Sequence, residues 1–461
     1  MLSRAFAVST LSVAIGGLLV CIQHYSHAEQ PADAAKPAAN NNNNNNNNQP
    51  DPLPLAEKTR KALAYLADQQ ADDGGWGQGG GWRQNLNGGG RVEGAQVKDP
   101  SDLGNTCFAT LALLRAGNVP SAGIYATQVA RGIAYICTKV EQSDSDSLYV
   151  TDVRDTQLQS KIGHYVDTFL AGLALSEWKA KMPAASPDRR ALAALDKVLR
   201  KIEKNQNNDG TFTGNTGWAS VLSQGLACKC LNRASQLGCP VRAEALERDF
   251  ANSIGTIADG KSAVASSATA AAKSLPALAS STADASRKPA GAAAPSDAGV
   301  RLYSAATNAS RISDFGNTNA LQEKGAAATL DRRDATPAEQ AEAKQILGRA
   351  AGVRKVQQEA VDSVVAQLKD KSFIAGFGNN GGEEFLSYMN IGEMLAASRG
   401  PKWDEWRRSI TENLDRVQNQ DGSWSGQHCI TGRTFCTSAA LLTLMADRAP
   451  LPQPAKLADA K

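Results

Sequence analysis

The sequence predicts an all-α fold built from about five repeated pairs of helices. A short motif recurs along the chain, in which Gln is followed after three residues by Gly and two residues later by an aromatic residue. An amphipathic helix precedes each copy, and a more uniformly apolar helix follows it. Because repeats arise when similar units stack on one another, these two observations predict one repeat fold and not several unrelated domains.

The motif occurs in three clear copies. They are Gln70, Gly74 and Trp76; Gln206, Gly210 and Phe212; and Gln418, Gly422 and Trp424. Two weaker copies keep only the spacing, and they begin at Gln142 and Gln367. The Asp-Gly pair in each clear copy favours a turn, because Gly accepts a positive φ. We therefore expect these residues to be structural, with the Gln amide capping a helix and the ring packing between repeats.

Each repeat is predicted to contain an outer and an inner helix. The outer helices carry apolar residues three and four positions apart, as Leu195, Val198, Leu199 and Ile202 do. A helix that is apolar nearly all round is buried on both sides. The predicted inner helices are Cys107–Arg115, Tyr165–Trp178, Trp218–Leu231, Phe385–Ala397 and Phe435–Met445.

Several segments are predicted to lie outside this repeat fold. Residues 1–28 resemble a signal peptide, with Arg4, an apolar run and small residues before a cleavage position, although an uncleaved anchor is the alternative. Residues 29–54, which include nine consecutive Asn, are predicted to be a disordered tether. The tail 449–461 is predicted to be flexible. The repeat fold then occupies residues 55–253 and 345–448, and the protein is expected to be exported to the periplasm, the cell surface or the medium.

An insertion is predicted at residues 254–344. From Lys261 to Val300 the chain is dominated by Ala and Ser and has no aromatic residue. Small side chains bury little area, so most of this insertion is expected to be disordered. The spacing agrees, because the interval from Gln206 to Gln367 is more than twice that between the other copies. One helix is expected near Val300–Ile312, with Leu302, Tyr303 and Ala306 facing the body.

Composition excludes several classes of protein. The 49 basic and 46 acidic residues nearly balance, so the sequence gives no sign of nucleic-acid binding. The 42% of hydrophobic residues excludes a wholly disordered chain, and no transmembrane span is expected once the signal is removed. Aromatic residues make up only 5% of the chain.

The Gln-x-x-x-Gly-x-Trp turn resembles the QW motif of the prenyltransferase and squalene oxidase repeat. The resemblance covers about 300 residues, which is one unit in the usual range of domain sizes. It implies an α/α toroid like that of terpenoid cyclases and protein prenyltransferases, with an active site where the inner helices begin. The chain departs from that family in its chemistry, since it has neither the Asp-x-Asp-Asp acid of squalene cyclases nor an Asp-Asp-x-x-Asp motif. Its low aromatic content also disfavours a cavity that stabilises carbocations.

Candidate catalytic residues lie at the predicted starts of two inner helices. His164 and Asp167 are three apart, so they share one helix face and fit a general base with its orienting acid. Glu383 and Glu384 follow an Asn-Asn-Gly-Gly turn, with Tyr388 one helical turn further on, and they fit acid–base chemistry at the cavity mouth. The alternative is that these acidic residues only complement the helix dipole.

The cysteines allow two interpretations. Cys429 and Cys436 flank a short loop and fit a disulfide in an oxidising compartment. Alternatively, Cys107 or Cys436 could join His164 and Asp167 in a zinc site, but no tight ligand spacing supports it. No metal site is therefore predicted, and no cofactor is firmly implied.

Two functions follow from these observations. The first is an exported toroid that binds a small hydrophobic ligand, a glycan or a protein without catalysis. The alternative is a lyase, hydrolase or transferase acting on a polyprenyl or polysaccharide substrate through Glu383, Glu384, His164 and Asp167. Squalene cyclase and protein prenyltransferase activities are disfavoured by the missing motifs.

Overall fold

The computed structural model describes residues 54–82, 91–92, 99–258, 295–398 and 400–451. These residues all belong to one compact unit within Pro52–Lys461. The predicted signal peptide, nearly all of the predicted tether, residues 259–294 of the predicted insertion and residues 452–461 of the tail lie outside the described residues.

The described residues form six long outer helices and six inner helices. The outer helices are α1 (Glu57–Asp68), α3 (Ala126–Gln142), α6 (Arg189–Asn205), α8 (Ala243–Ala258), α10 (Pro337–Gln367) and α13 (Pro401–Val417). The inner helices are α2 (Leu103–Arg115), α5 (Val166–Lys179), α7 (Val221–Gln236), α9 (Arg301–Asp331), α12 (Gly382–Ser398) and α14 (Arg433–Leu444). Short elements complete the fold: α4 (Gln157–Ile162), α11 (Lys371–Ala375), a 3₁₀ turn (Ala446–Arg448) and the antiparallel strands β1 (Gly81–Trp82) and β2 (Arg91–Val92).

The inner helices form a closed ring. Going round it, α2 packs on α5, α5 on α7, α7 on α9, α9 on α12, α12 on α14, and α14 returns to α2. The outer helices surround this ring, which is the architecture of an α/α toroid. The inner helices that the sequence predicts are buried on all sides, and every residue of α12 from Gly382 to Ala397 is buried. Helix α9 is mostly buried up to Asn319 and is partly or fully exposed beyond it, apart from Ala326. No helix in the described part of the chain combines the length and apolarity needed to cross a membrane.

The repeated Gln joins consecutive repeats. Its side-chain amide donates to a carbonyl in the first turn of the next outer helix, namely to Gln128 of α3, Ala245 of α8 and Lys58 of α1. The last of these bonds runs from Gln418 to the first helix of the chain, at 3.1 Å, and it closes the ring. The motif Gln thus joins two repeats, whereas the sequence predicts that its amide caps a helix.

The repeated Gly and the aromatic ring complete this joint. Gly74, Gly210 and Gly422 have φ near +88°, +81° and +92° and lie against the backbone of the next outer helix. A Cβ atom there would approach that backbone to between 2.5 and 2.9 Å, so only Gly fits. Indole nitrogens of Trp76 and Trp424 donate to the carbonyls of Leu66 and Leu414 at 2.7 and 2.9 Å. Each ring is thus fixed between its outer and inner helices.

The structure contains one helix pair more than the sequence predicts. The additional pair is α8 with α9, and α9 lies within residues 254–344, which were expected to be mostly disordered. Leu302, Tyr303 and Ala306 are buried as expected, but the helix continues for 31 residues to Asp331. The inner face of α9 was not recognisable from hydrophobicity, because polar side chains of other helices satisfy its buried polar residues. One example is Arg311, whose guanidinium pairs with Asp249 at 2.6 Å.

Candidate functional site

The inner helices begin at one end of the ring, which we call the N-terminal end, and finish at the other, the C-terminal end. Six charged side chains fill the C-terminal end and come from five of the six inner helices. They are Arg115, Glu177, Lys229, Arg233, Asp314 and Glu393. Because three are cationic and three anionic, their formal charges cancel.

Glu393 is the centre of this network. Its carboxylate forms an ion pair with Arg115 at 2.6 Å and accepts hydrogen bonds from Lys229 at 2.9 Å and Arg233 at 3.2 Å. Burial alone would raise the pKa of Glu393, but the three cations lower it below its usual range. The other carboxylates are also paired, Glu177 with both arginines and Asp314 with Lys229. This end is therefore packed with compensated charge.

The N-terminal end buries carboxyl groups without such compensation. Asp102 and Asp167 flank Gly104, where a Cβ atom would lie 2.7 Å from Asp167 Oδ1 and 3.6 Å from Asp102 Oδ1. Asp102 caps α2 by accepting from the backbone and side chain of Asn105, at 2.8 and 2.7 Å. Burial, reinforced by the nearby charge of Asp167, raises the pKa of Asp102 to about 7.

Asp167 receives a hydrogen bond from the side chain of Gln159 through Oδ2. Its Oδ1 is buried beside Gly104 and accepts no well-aligned hydrogen bond among the described residues. Burial raises the pKa of Asp167 to about 6, against the lowering effects of Gln159, of the positive charge of Arg154 and of the backbone N–H of Gly104. This carboxyl is thus mainly ionised at neutral pH.

Glu383 occupies the equivalent position at the start of α12. Its Oε2 accepts from the backbone of Ile430 at 3.2 Å, while its buried Oε1 has no hydrogen-bond partner in the part of the chain that is described. Burial raises the pKa of Glu383 to about 7, and the positive charge of Lys161 opposes that rise. Glu383 therefore holds a proton near neutral pH for about half of the time.

Glu384 and Tyr388 support the turn that precedes α12. Glu384 accepts from the backbone of Gly378 at 2.6 Å, and burial raises its pKa to about 7 although neighbouring N–H groups lower it. The hydroxyl of Tyr388 lies 2.7 Å from Asn380 Oδ1 and also meets the carbonyl of Ile374. This fully buried side chain anchors the turn from within, and the catalytic role predicted for Tyr388 stays a prediction.

Helix α4 covers the N-terminal end of the ring. Gln157 donates to the carbonyl of Cys429 at 2.8 Å and accepts from the backbone of Thr431 at 3.2 Å, just before α14 begins. On its other side, the carbonyl of Lys161 accepts from the backbone of Ala219 at 2.7 Å, just before α7. Leu158 between them is buried. The carboxyl groups of Asp167 and Glu383 therefore lie beneath or beside a short helix that is attached at both ends.

His164 does not form the predicted pair with Asp167. No ion pair joins the two within 4 Å in the described residues, and Asp167 is bound by Gln159 instead. His164 lies directly after Gly163, whose φ of +137° reverses the chain between α4 and α5. The shared helix face was a wrong expectation, because α5 begins only at Val166 and His164 belongs to the turn before it.

The predicted disulfide is absent from the structure. No disulfide joins Cys429 to Cys436. The sulfur of Cys429 faces His428 Nδ1 at 2.7 Å, while that of Cys436 lies 3.5 Å from the carbonyl of Ile430. The two side chains thus point to different partners.

The structure also shows the positions of the residues considered for a zinc site. Within the described ranges, no three His, Cys, Asp or Glu side chains are grouped as a metal site. Cys107 and Cys436 are fully buried, and burial raises the pKa of each thiol well above its usual value. A thiolate, which is the form that binds zinc, is therefore disfavoured at both positions.

Sequence reasoning missed Asp102, Gln157 and Gln159. Asp102 had a recognisable signal, because it precedes an apolar helix and is followed three residues later by Asn105. Thr156 and Gln159 form a capping box, which also marks the start of α4 in the sequence. Neither pattern shows that these side chains lie near Asp167. The contact of Gln159 depends on the turn at Gly163, and the approach of Asp102 depends on how α2 packs against α5.

No family model and no curated protein matches the chain. Among solved structures, the GH76A α-1,6-mannanase of Salegentibacter sp. HEL1_6 is similar, with 10% identity and a TM-score of 0.48 over 85% of this chain and 98% of that one. An inactive variant of the same enzyme in complex with α-1,6-mannotriose gives a TM-score of 0.49 at the same identity and coverage. At these values the resemblance assigns neither a family nor an activity to this chain.

Proposed function

We propose that the chain is an enzyme that cleaves glycosidic bonds by acid–base chemistry at the N-terminal end of the ring. The observation that carries this proposal is the presence of Asp167 and Glu383 at this end. Each has a buried carboxylate oxygen without a hydrogen-bond partner among the described residues, and burial raises the pKa of both. We assign the acid role to Glu383, whose pKa is raised to about 7, and the base role to Asp167, whose pKa is raised to about 6.

The reaction class follows from this pair of carboxyl groups. Most glycoside hydrolases use one protonated carboxyl to donate to the leaving oxygen and one carboxylate as base or nucleophile. Glu384 also has a raised pKa and a buried Oε2 without a hydrogen-bond partner among the described residues, but its other oxygen holds the turn at Gly378, so we assign it a supporting role. Asp102 is assigned a supporting role because it caps α2. A toroid that only binds a ligand gains nothing from burying these groups, and their burial opposes ionisation.

The substrate class follows from the opposite end of the ring. A polyprenyl chain needs a long apolar tunnel, and here the C-terminal end is filled by Glu393 and its cations. A polysaccharide approaches the N-terminal end from outside and needs only a polar mouth. The glycan alternative is therefore favoured over the polyprenyl alternative.

Access to Glu383 and Asp167 requires that α4 moves away. The attachments of α4 are polar, namely the bonds of Gln157 to the segment before α14 and the backbone bond at Ala219. Water and sugar hydroxyls can replace such bonds, so displacement costs less than opening an apolar interface. Gly163, with its φ of +137°, provides a flexible point at the end of α4.

The test is release of reducing ends from a panel of neutral polysaccharides, including α-mannan, starch, xylan and β-glucan. We expect release to follow a bell-shaped pH profile with its maximum between about pH 6 and 7, because Asp167 must be ionised and Glu383 protonated. Glu383→Gln and Asp167→Asn are each expected to lower kcat by roughly 100-fold or more.

Glu141→Gln is the matched control, because Glu141 pairs with Arg190 on the surface of an outer helix. It is expected to keep full activity. The proposal fails if no polysaccharide is cleaved, or if cleavage is unchanged in both the Glu383 and the Asp167 variants. Binding without cleavage would favour the ligand-binding toroid instead.

A further inference from the structure

Two exposed aromatic rings lie in contact at the N-terminal end of the ring. Among the described residues, the exposed large apolar side chains are Ile124, Trp218 and Phe377, with 84%, 46% and 50% of their surface accessible. The centroids of the Trp218 and Phe377 rings are 6.5 Å apart and their planes meet at 59°. His428 completes this group, with its ring edge-on to Phe377 at 4.9 Å. We call Trp218, Phe377 and His428 the aromatic cluster.

The aromatic cluster adjoins the carboxyl groups. Phe377 lies on the turn that wraps around Glu384, whose carboxylate binds the next backbone N–H at 2.6 Å. The Nζ atom of Lys161 in α4 lies 5.9 Å from the centroid of the Trp218 ring, and its positive charge lowers the pKa of Glu383. The cluster is thus continuous with the proposed catalytic end of the ring.

The backbone holds both rings in place although they are exposed. Asn379 and Asn380 adopt left-handed conformations, with φ of 63° and 73°, in the turn after Phe377. The backbone at Trp218 is bonded to α4. The N–H of Trp218 donates to the carbonyl of Ser160, and the N–H of Ala219 donates to the carbonyl of Lys161. A side chain of this size gains much from burial, so two rings fixed in solvent mark a surface suited to a ligand.

We propose that the aromatic cluster is a saccharide-binding subsite, which rests on the proposed glycosidase function. A sugar ring has an apolar face of C–H groups, which fits the faces of Trp218 and Phe377, and a rim of hydroxyl groups. Lys161 and His428 lie beside the rings and supply polar partners for those hydroxyls. A lipid tail would have no apolar pocket to enter beside the rings, because charged and polar groups surround them.

The subsite also explains how a substrate displaces α4. Trp218 is in contact with Lys161 and lies next to Ala219, where α4 is attached. A sugar ring that takes the place of Lys161 on Trp218 competes with that contact. Binding at the aromatic cluster is therefore coupled to release of α4.

The test is calorimetric titration of the Glu383→Gln protein, which binds without turnover, with α-1,6-mannotriose, maltotriose, cellotriose and xylotriose. We expect at least one trisaccharide to bind, and Trp218→Ala and Phe377→Ala each to weaken its Kd by about tenfold or more. Ile124→Ala is the matched control, because Ile124 is an exposed apolar residue in the turn after α2, and it leaves Kd unchanged. Unchanged near-ultraviolet circular dichroism would show that the variants remain folded.

Three results would overturn the subsite. They are failure of all four trisaccharides to bind at millimolar concentration, equal Kd in the ring variants, and binding of geranylgeraniol that is lost with Trp218→Ala. Failure of the glycosidase function gives a different pattern. In that case a trisaccharide binds and the ring variants weaken it, but the wild-type protein releases no reducing ends.

Discussion

The two ends of one ring of helices contain buried carboxyl groups that differ in whether they pair with cations. At the C-terminal end, Glu177, Asp314 and Glu393 each pair with a buried cation. At the N-terminal end, Asp102, Asp167, Glu383 and Glu384 form no ion pair with any residue that the structure describes, and burial raises all four pKa values. Because uncompensated buried groups cost stability, their presence at one end only indicates a function there.

The largest expected effect comes from breaking the compensated end. Glu393→Gln removes one negative charge and leaves Arg115, Lys229 and Arg233 with only two carboxylates. Loss of one partner from a buried charge network costs about 3–5 kcal/mol. We expect the free energy of unfolding, measured by urea denaturation, to fall by that amount.

Glu141→Gln provides the comparison for this prediction. The pair of Glu141 with Arg190 is exposed, and such pairs contribute about 0–1 kcal/mol. If Glu393→Gln lowered the free energy of unfolding no more than Glu141→Gln does, the network at the C-terminal end would not have the stabilising role assigned to it.

A smaller effect is expected at the joints of the repeated motif, which lie before the starts of inner helices. Gln206 is buried and bonded to Ala245 and Arg248, whereas Gln418 is partly exposed and bonded to Lys58 and Gly422. An unsatisfied buried polar group costs about 1–3 kcal/mol, and an exposed one less. Thermal denaturation should therefore show a larger loss of stability for Gln206→Ala than for Gln418→Ala. The reverse order would contradict the role of these Gln side chains in joining the repeats.

The repeated joints were predictable from sequence because they depend on local geometry. Gly74, Gly210 and Gly422 mark a turn whose φ only Gly adopts easily, and the rings of Trp76 and Trp424 follow at fixed spacing. Helix α9 was not predictable in the same way. Its buried face contains Asn308, Arg311 and Asp314, and such residues suggest exposure until their partners on other helices are known.

The site was predictable only in part for a similar reason. Glu383 and Asp167 were recognised as acidic residues near inner-helix starts, but their surroundings were not. Asp167 meets Gln159 across the turn at Gly163, and it meets Gly104 because α2 packs against α5. The charge network was missed altogether. Arg115, Glu177 and Glu393 each resemble an ordinary charge near a helix end, and they meet only when the ring closes.

The pH dependence of stability tests the central claim most directly. The folded protein raises the pKa of Glu383 from 4.5 to about 7, so the folded state keeps a proton that the unfolded state releases. Stability from this group is full below the unfolded pKa and is lost as pH rises from about 4.5 to about 7. Glutamine does not titrate, so Glu383→Gln removes this loss.

The measurement is the free energy of unfolding of the wild-type and Glu383→Gln proteins from pH 4 to pH 8. We expect the difference between the two to move in favour of Glu383→Gln by on the order of 3 kcal/mol over this range. A difference that stays constant with pH would show that Glu383 titrates normally. That result would contradict the claim that the N-terminal end buries carboxyl groups without pairing them with cations.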